Sequence, residues 1–480
     1  MIETSSISKL TAGAERPPAV VVAVQLPGVT EAELDSSITE LERLAKTLGL
    51  NPIARIVQRR AKLASGIVLG EGKLIELAGW TGGSGEIPKY VKPGSKQADA
   101  AAAADDEETE DGDEANEANE DDEGDEAATT VAPAQRAKVV LVDHDLTPTQ
   151  QHNLETATGV DVLDRTAVIV EIFHRHAKTR EARLQVEVAR LRYLAPRLRA
   201  AGGGGDRVRG GIGGKGAGES SLELDRRRIR DRIAELRDEL SKIGGGSKTR
   251  RERRSELPTV ALVGYTNAGK SSLMRALTSS EVYVADKLFA TLDTTVRRLV
   301  PPTEPPILVS DTVGFIKKLP HDLVASFRST LEEAAEADLL LHIVDASDAA
   351  HADQLAVTRE VLREIDADHA PSWLLLNKID RVDAAGREAL ADHYPDAIQL
   401  SAKDPADVAA LRDRLIEHFG GKLEETLLEV PWTHQRMVHA IHERTTVLAE
   451  EHDEVGTKLR VRAPATVLES LRAALTRPSL

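Results

Sequence analysis

The chain has 480 residues, with 79 acidic and 62 basic side chains and a formal charge of −17, enough for about two to four domains rather than one small module. It contains no cysteine, which excludes a disulfide scaffold, a thiol nucleophile, a Cys-ligated zinc and an iron–sulfur cluster. Aromatic residues make up only 3 %, too few for an extensive stacking platform for single-stranded nucleic acid, and no stretch approaches the roughly 20 consecutive apolar residues that span a bilayer.

The amino terminus, MIETSSISKL, lacks the apolar run of a signal peptide, so a soluble, cytoplasmic chain is expected. It is separately expected to be monomeric. Residues 19–26 form an apolar, β-branched run, and Leu34, Ile38, Leu41, Leu44 and Leu48 then recur at helical spacing. Further strands are predicted at 52–57, 66–69 and 138–142, which makes residues 1–166 an α/β domain. The stretch from about 82 to 133 interrupts it. Sixteen acids and no Lys or Arg lie between Asp99 and Glu126, leaving 63 acids against 62 bases in the rest of the chain. That insertion is too polar and self-repelling to build a core and is predicted to be disordered, either as a solvated spacer or as an autoinhibitory or partner-binding element.

The charge reverses in the next segment. Between Arg175 and Arg254 there are 23 Lys or Arg against 11 Asp or Glu, a net +12. Leu184, Val188, Leu191 and Leu198 share one helical face, as do Ile229, Ile233, Leu236, Leu240 and Ile243, so two helices packed on an apolar seam are predicted within 167–256. Between them, residues 202–218 are too glycine-rich to be helical and form a predicted basic tip. The His174 and His176 pair has no acidic partner placed for a metal and reads as solvated.

After Pro258 an apolar strand pattern runs into Gly264, Tyr265, Thr266, Asn267, Ala268, Gly269, Lys270, Ser271 and Ser272, followed by a helical pattern. This is the strand, loop and helix context of a phosphate-binding loop. Its two glycines let backbone amides wrap phosphate oxygens, Lys270 would pair with the β and γ phosphates, and the Ser271 hydroxyl would ligate Mg²⁺. Asp311, Thr312, Val313 and Gly314 close a second apolar run, with Asp311 placed to hold Mg²⁺ through water and the Gly314 amide placed to sense the γ phosphate. Asn377, Lys378 and Asp380 close a third, and a carboxylate at 380 would accept two hydrogen bonds from the N1 and N2 donors of guanine, a pair that adenine lacks. Ser401, Ala402 and Lys403 follow a fourth run and offer backbone donors to the guanine carbonyl. Four such pieces in this order predict a GTPase domain, a mixed sheet flanked by helices, over 257–421.

The set resembles the translation-factor-like GTPases over 258–420. Phe289, Ala290, Thr291, Leu292 and Asp293, with Asp311 to Phe315 and the run Gly216-Ala-Gly-Glu-Ser-Ser-Leu-Glu-Leu-Asp225, look like the HflX family. The similarity extends upstream to Gly70-Glu-Gly-Lys73, Asp143, Leu146-Thr-Pro148, Gln150 and Asp164-Arg165. The resemblance implies a ribosome-associated GTPase that binds the large subunit and its RNA and splits stalled or idle ribosomes, with hydrolysis controlling release. It also implies Thr291 as the switch threonine that completes the Mg²⁺ shell; Thr294 and Thr295 lie close enough that spacing alone does not choose among the three. The alternatives are a regulatory GTPase with a protein target and an ATP-using RNA-remodelling factor. No second nucleotide motif stands out in the amino-terminal domain.

Position 315, where Ras-like enzymes carry the glutamine that orients water, is Phe, so hydrolysis by the isolated chain is expected to be slow and to need another residue, an ion or the ribosome. Phe315 is equally compatible with filling core space. Asn267 resembles the asparagine that holds a potassium ion beside the phosphates in related enzymes, against the alternative of a turn-stabilising side chain. Residues 422–480, with an amphipathic helical run from Trp432 to Leu448 between two strands, predict a small α+β domain.

Overall fold

The computed structural model describes residues 16–64, 66, 68–87, 132, 135–198, 221–254, 257–279, 288–289, 295–317, 333–420 and 423–475. It divides into two compact units, 1–172 and 173–480. Of the insertion predicted at about 82–133, residues 82–87 and 132 are described, and its first residues belong to the fold: the Gly85 amide donates to the Ala157 carbonyl at 2.9 Å and Ile87 packs on the core of the first sheet. The remainder, with the acidic run 99–126, and the glycine-rich tip lie outside the described residues.

In the first unit β1 (Pro18–Gln25), β2 (Asn51–Arg59), β3 (Val139–Val142) and β4 (Asp161–Asp164) form a parallel sheet in the order β2-β1-β3-β4. β1 and β3 are central, which is why both are continuous apolar runs rather than alternating ones. Helix α1 (Glu31–Leu48) starts at a capping box between Thr30 and Glu33 and stops at Gly49, whose φ of 89° suits a residue without Cβ. The run at 66–69 is not a strand among its described residues: Val68 and Leu69 are buried in the same core as β1 and β3, so their apolar character reports burial and not pairing.

The upstream residues that resemble the family are tied up in the fold. Arg165, with its side chain 1 % exposed, donates to Asp143 Oδ1 at 2.7 Å and to Glu40, while Ser37 donates to Asp143 Oδ2 at 2.6 Å. Asp164 accepts from the Ala167 amide at 2.7 Å and the Leu146 amide at 3.2 Å. Thr147 and Gln150 form the capping box of α3 (Pro148–Thr158), and Gln150 Nε2 also reaches the Ala64 carbonyl at 2.7 Å. The Gly70 amide, at the start of α2 (Glu71–Thr81), donates to Gln58 Oε1 at 2.7 Å. A buried cation paired with two carboxylates is costly to break, so these residues fix the domain's geometry.

Helix α4 (Arg165–His176) carries the chain into the second unit, where α5 (Arg180–Leu194) and α6 (Ser221–Arg254) pack on the predicted seam: Leu184, Val188, Leu191, Ile229 and Leu236 are buried, and Leu198, Ile233, Leu240 and Ile243 pack against them. Ion pairs Arg180–Glu239 and Arg232–Glu187 cross it, so the helices run antiparallel.

The following sheet has the order β10-β9-β8-β5-β7-β6. Its strands are β5 (Thr259–Gly264), β6 (Thr295–Arg298), β7 (Leu308–Asp311), β8 (Leu339–Asp345), β9 (Ser372–Asn377) and β10 (Ile398–Gln399), all parallel to their neighbours except β6. One face packs Leu262, Leu341 and Leu375 against Leu273 of α7 (Lys270–Thr278) and Leu415 of α10 (Pro405–Gly420). The other packs Val263, Leu340 and Phe315 against Leu362 of α8 (His351–Glu364). Helix α9 (Ala384–His393) follows β9. The carboxyl ends of β5, β7, β8 and β9 share one edge, where ligands bind in open α/β sheets.

The last part is an antiparallel sheet of β11 (Leu423–Pro431), β13 (Gly456–Pro464) and β12 (Thr446–His452), with helices α11 (Arg436–Arg444) and α12 (Ala465–Leu475). The predicted helix through Leu448 ends early: Thr445 is extended at φ −137° and the chain turns into β12. No helix among the described residues is long and apolar enough to cross a membrane.

Candidate phosphate-binding and base-binding site

Gly264 ends β5 with φ 153°, and a Cβ there would lie 2.2 Å from the Ile343 carbonyl oxygen, so the strand can approach β8 only as glycine. The loop continues through Asn267 at φ 61° to Gly269 at φ 102°, where a Cβ would meet Asn377 Nδ2 at 2.1 Å. Lys270 opens α7, and its ammonium folds back to donate to the carbonyls of Gly264 at 2.9 Å and Tyr265 at 2.7 Å. Burial pushes its pKa down to about 8, against the opposing pull of the Asp311 carboxylate.

The segment after β7 lies beside this loop. The Thr266 amide donates to the Phe315 carbonyl at 2.8 Å, the Phe315 amide donates to the Gly264 carbonyl at 3.2 Å, and the Lys317 amide donates to the Tyr265 hydroxyl at 2.6 Å. Thr312 Oγ1 donates to the Leu262 carbonyl at 2.6 Å, and Val313 is buried. At Gly314 a Cβ would come within 2.9 Å of Thr266 Cγ2 and 3.0 Å of Lys270 Nζ, so a glycine keeps this segment close to the loop ammonium. Ser271 Oγ donates to Asp311 Oδ2 at 2.8 Å, bringing a hydroxyl and a carboxylate together at the start of α7. Such hard oxygen donors fit Mg²⁺ rather than a softer ion. Ser272 follows, half-buried. Phe315 is 1 % exposed and belongs to the core, as the packing alternative has it.

The third group joins from β9 and β10. Asn377 Nδ2 donates to the Ala268 carbonyl at 2.8 Å and its Oδ1 accepts from the Ala402 amide at 3.0 Å, so one side chain ties the phosphate loop to the Ser401-Ala402-Lys403 turn. Lys378, at φ 62°, donates to the Asn267 carbonyl at 2.7 Å. Ser401 Oγ donates to Asp380 Oδ1 at 2.7 Å and accepts from the Lys403 amide at 3.3 Å. That hydrogen bond from Ser401 holds the Asp380 carboxyl below its ordinary range, helped by the charges of Lys403 and Arg381, so Asp380 stays an acceptor.

Of the switch segment only Phe289 is described: it is buried at φ 57°, edge-on to Phe173 with ring centroids 4.6 Å apart. Ala290, Thr291, Leu292 and Asp293 lie outside the described residues. Two contributors were missed from sequence. Asp345, at the end of β8, pairs with Lys378 at 2.7 Å, and Asp407 Oδ2 accepts from the Ser401 amide at 2.7 Å. An acid closing the buried run of β8, on the edge shared with Asp311 and Asn377, was the available signal for Asp345. Among the described residues the one metal-like cluster, Asp366, Asp368 and His369, is exposed and away from this edge of the sheet, after α8.

Residues 35–85 and 123–174 match the family profile described as GTP-binding GTPase N-terminal, 176–254 the GTP-binding GTPase Middle Region, and 259–378 the 50S ribosome-binding GTPase. The GTPase HflX of Gluconacetobacter diazotrophicus is 53 % identical over 466 residues, covering 96 % of this chain and 98 % of the relative. The chain belongs to the HflX family of GTPases. The HflX of Escherichia coli is 41 % identical over 336 residues, 69 % of this chain and 79 % of that one. Among solved structures, a GTP-binding protein of Sulfolobus solfataricus in complex with GDP aligns over 84 % of this chain and 98 % of its own, at 21 % identity and a TM-score of 0.38. As a member of the HflX family the chain is a GTPase that binds GTP and hydrolyses it to GDP and phosphate.

Proposed function

We propose that this GTPase acts on the ribosome: it binds the large subunit, chiefly its RNA, in the GTP state, separates the subunits of stalled or idle ribosomes, and leaves after hydrolysis. The observation that carries this reading is the hairpin of α5 and α6, which turns its aliphatic residues inward to a seam and belongs to a segment of net charge +12. Basic charge of that density supplies the sequence-independent part of RNA affinity. The description of the G-region profile as a 50S ribosome-binding GTPase points the same way.

Within the site, Lys270 faces the β and γ phosphates, Gly314 reports the γ phosphate through its amide, and Asp380 accepts from guanine while Ser401, Ala402 and Lys403 surround its carbonyl. Ser271, Asp311 and Thr291 would hold Mg²⁺, which supplies charge neutralisation on the phosphate oxygens. Asn267 is the candidate potassium ligand. Phe315 has no group to orient water, so hydrolysis by the isolated chain is slow.

Sucrose-gradient sedimentation with a non-hydrolysable GTP analogue tests the reading. Co-migration with large subunits and loss of the intact-ribosome peak are expected. A chain that stays at the top of the gradient at physiological salt would overturn it.

A further inference from the structure

From the geometry we infer that Asp345, a residue outside every nucleotide-binding motif of the sequence, is a positioning residue for guanine nucleotide, acting through Lys378. Asp345 ends β8 on the ligand edge of the sheet. Its Oδ1 accepts from Ser347 Oγ at 2.6 Å and from the Ser347 amide at 3.1 Å, which fixes the carboxylate and turns Oδ2 to Lys378 Nζ at 2.7 Å. The same ammonium donates to the Asn267 carbonyl at 2.7 Å. The Ala346 amide donates to the Asn377 carbonyl at 2.9 Å, so the ends of β8 and β9 are locked together beneath the pair.

The Asp345 and Lys378 side chains are 15 % and 16 % exposed, so the pair is largely withdrawn from water. An ammonium in that setting needs a fixed counter-charge, and the remaining carbonyl supplies only a dipole. Asp345 therefore sets where the Lys378 charge sits. Lys378 in turn holds the phosphate loop at Asn267, whose positive φ of 61° is unusual for a residue with a side chain. One carboxylate thus couples the base loop to the phosphate loop before any nucleotide arrives. The Ser347 contact explains why the carboxylate does not turn away to solvent.

The inference rests on the assignment of 377–380 to the guanine base, and the experiment separates the two. GDP affinity is measured by fluorescent-nucleotide titration for the full chain and for Asp345→Asn, Ser347→Ala, Lys378→Met and the Asp345→Asn/Lys378→Met double variant, with the melting temperature of each nucleotide-free protein. Asp345→Asn is expected to weaken GDP about tenfold and Ser347→Ala about threefold, the scale of one charge-assisted bond lost or loosened. The loss should appear chiefly in KM for GTP, because the pair sets the positions of both loops before the nucleotide arrives. The double variant should bind no worse than Lys378→Met alone.

GDP affinity of Asp345→Asn equal to wild type, with or without a lowered melting temperature, overturns the inference, as does a double variant whose loss is the product of the two single losses. If Asp380→Asn switches preference to xanthosine nucleotides while Asp345→Asn changes nothing, the base-loop assignment stands and this inference alone falls.

Discussion

Lys270 is the buried cation at the centre of the candidate site, and its environment predicts that nucleotide binding is coupled to protonation. In the free protein its ammonium is desolvated and hydrogen-bonded to two carbonyls, with a pKa of about 8. Phosphate oxygens add negative charge beside it and raise that pKa, so the complex holds a proton that the free protein loses as pH rises through about 8. Binding then takes up protons, and affinity falls with pH by the factor by which the free lysine is discharged. From pH ~7 to pH ~8.5 that factor is about fourfold, rising toward tenfold per unit at higher pH. GDP titration over this range, with calorimetry in buffers of different ionisation enthalpy, measures both the slope and the proton uptake. A flat affinity profile with no uptake would show that Lys270 stays charged in the free protein and refute the desolvation reasoning.

His342 lies in the middle strand β8, 6 % exposed, with Nδ1 lacking a hydrogen-bond partner among the described residues, and burial together with the charge of Arg359 lowers its pKa to about 4. Because the unfolded chain takes the proton first, stability is intact above pH 6.5 and is lost as pH falls from there toward 4, by up to about 3 kcal/mol. Denaturant melts of wild type and His342→Leu across that window check it, and an equal slope in both would count against it. Asp380→Asn should turn base preference from guanosine toward xanthosine nucleotides, since the amide donates where the carboxylate accepted. Competition binding in which the variant still prefers GTP over XTP would remove the base assignment. Potassium should raise the hydrolysis rate over sodium in wild type and not in Asn267→Ala, and steady-state rates in the two salts decide whether Asn267 holds the ion.

The site was legible from sequence where sterics leave little choice. Gly264, Gly269 and Gly314 each stand where a Cβ would strike a neighbour, so their spacing carries the geometry of the loops. The hairpin seam was legible because a helix repeats its buried face regularly. Elsewhere a local pattern had two readings. Val68 and Leu69 are as apolar as strand residues and are buried without pairing. In the last domain Leu448 continues the helical spacing of apolar residues, whereas Thr445, Thr446 and Val447 are β-branched and lead the chain into a strand. Asp345 stays hidden in the sequence because its partner Lys378 meets it only when β8 and β9 lie side by side, while its contact with Ser347, two residues on, is a turn that many aspartates make.

The proposed action on the ribosome requires that a GTPase with phenylalanine at the position of the water-orienting glutamine depend on large subunits for rapid hydrolysis. The most direct measurement is the rate of GTP hydrolysis at fixed protein concentration as purified large subunits are added, at physiological salt and again at high salt. A low basal rate that rises to saturation with large subunits, and whose half-saturation point moves to higher subunit concentration as salt screens the basic hairpin, is the expected result. A rate already fast without subunits, or one indifferent to them at both salt concentrations, would contradict it.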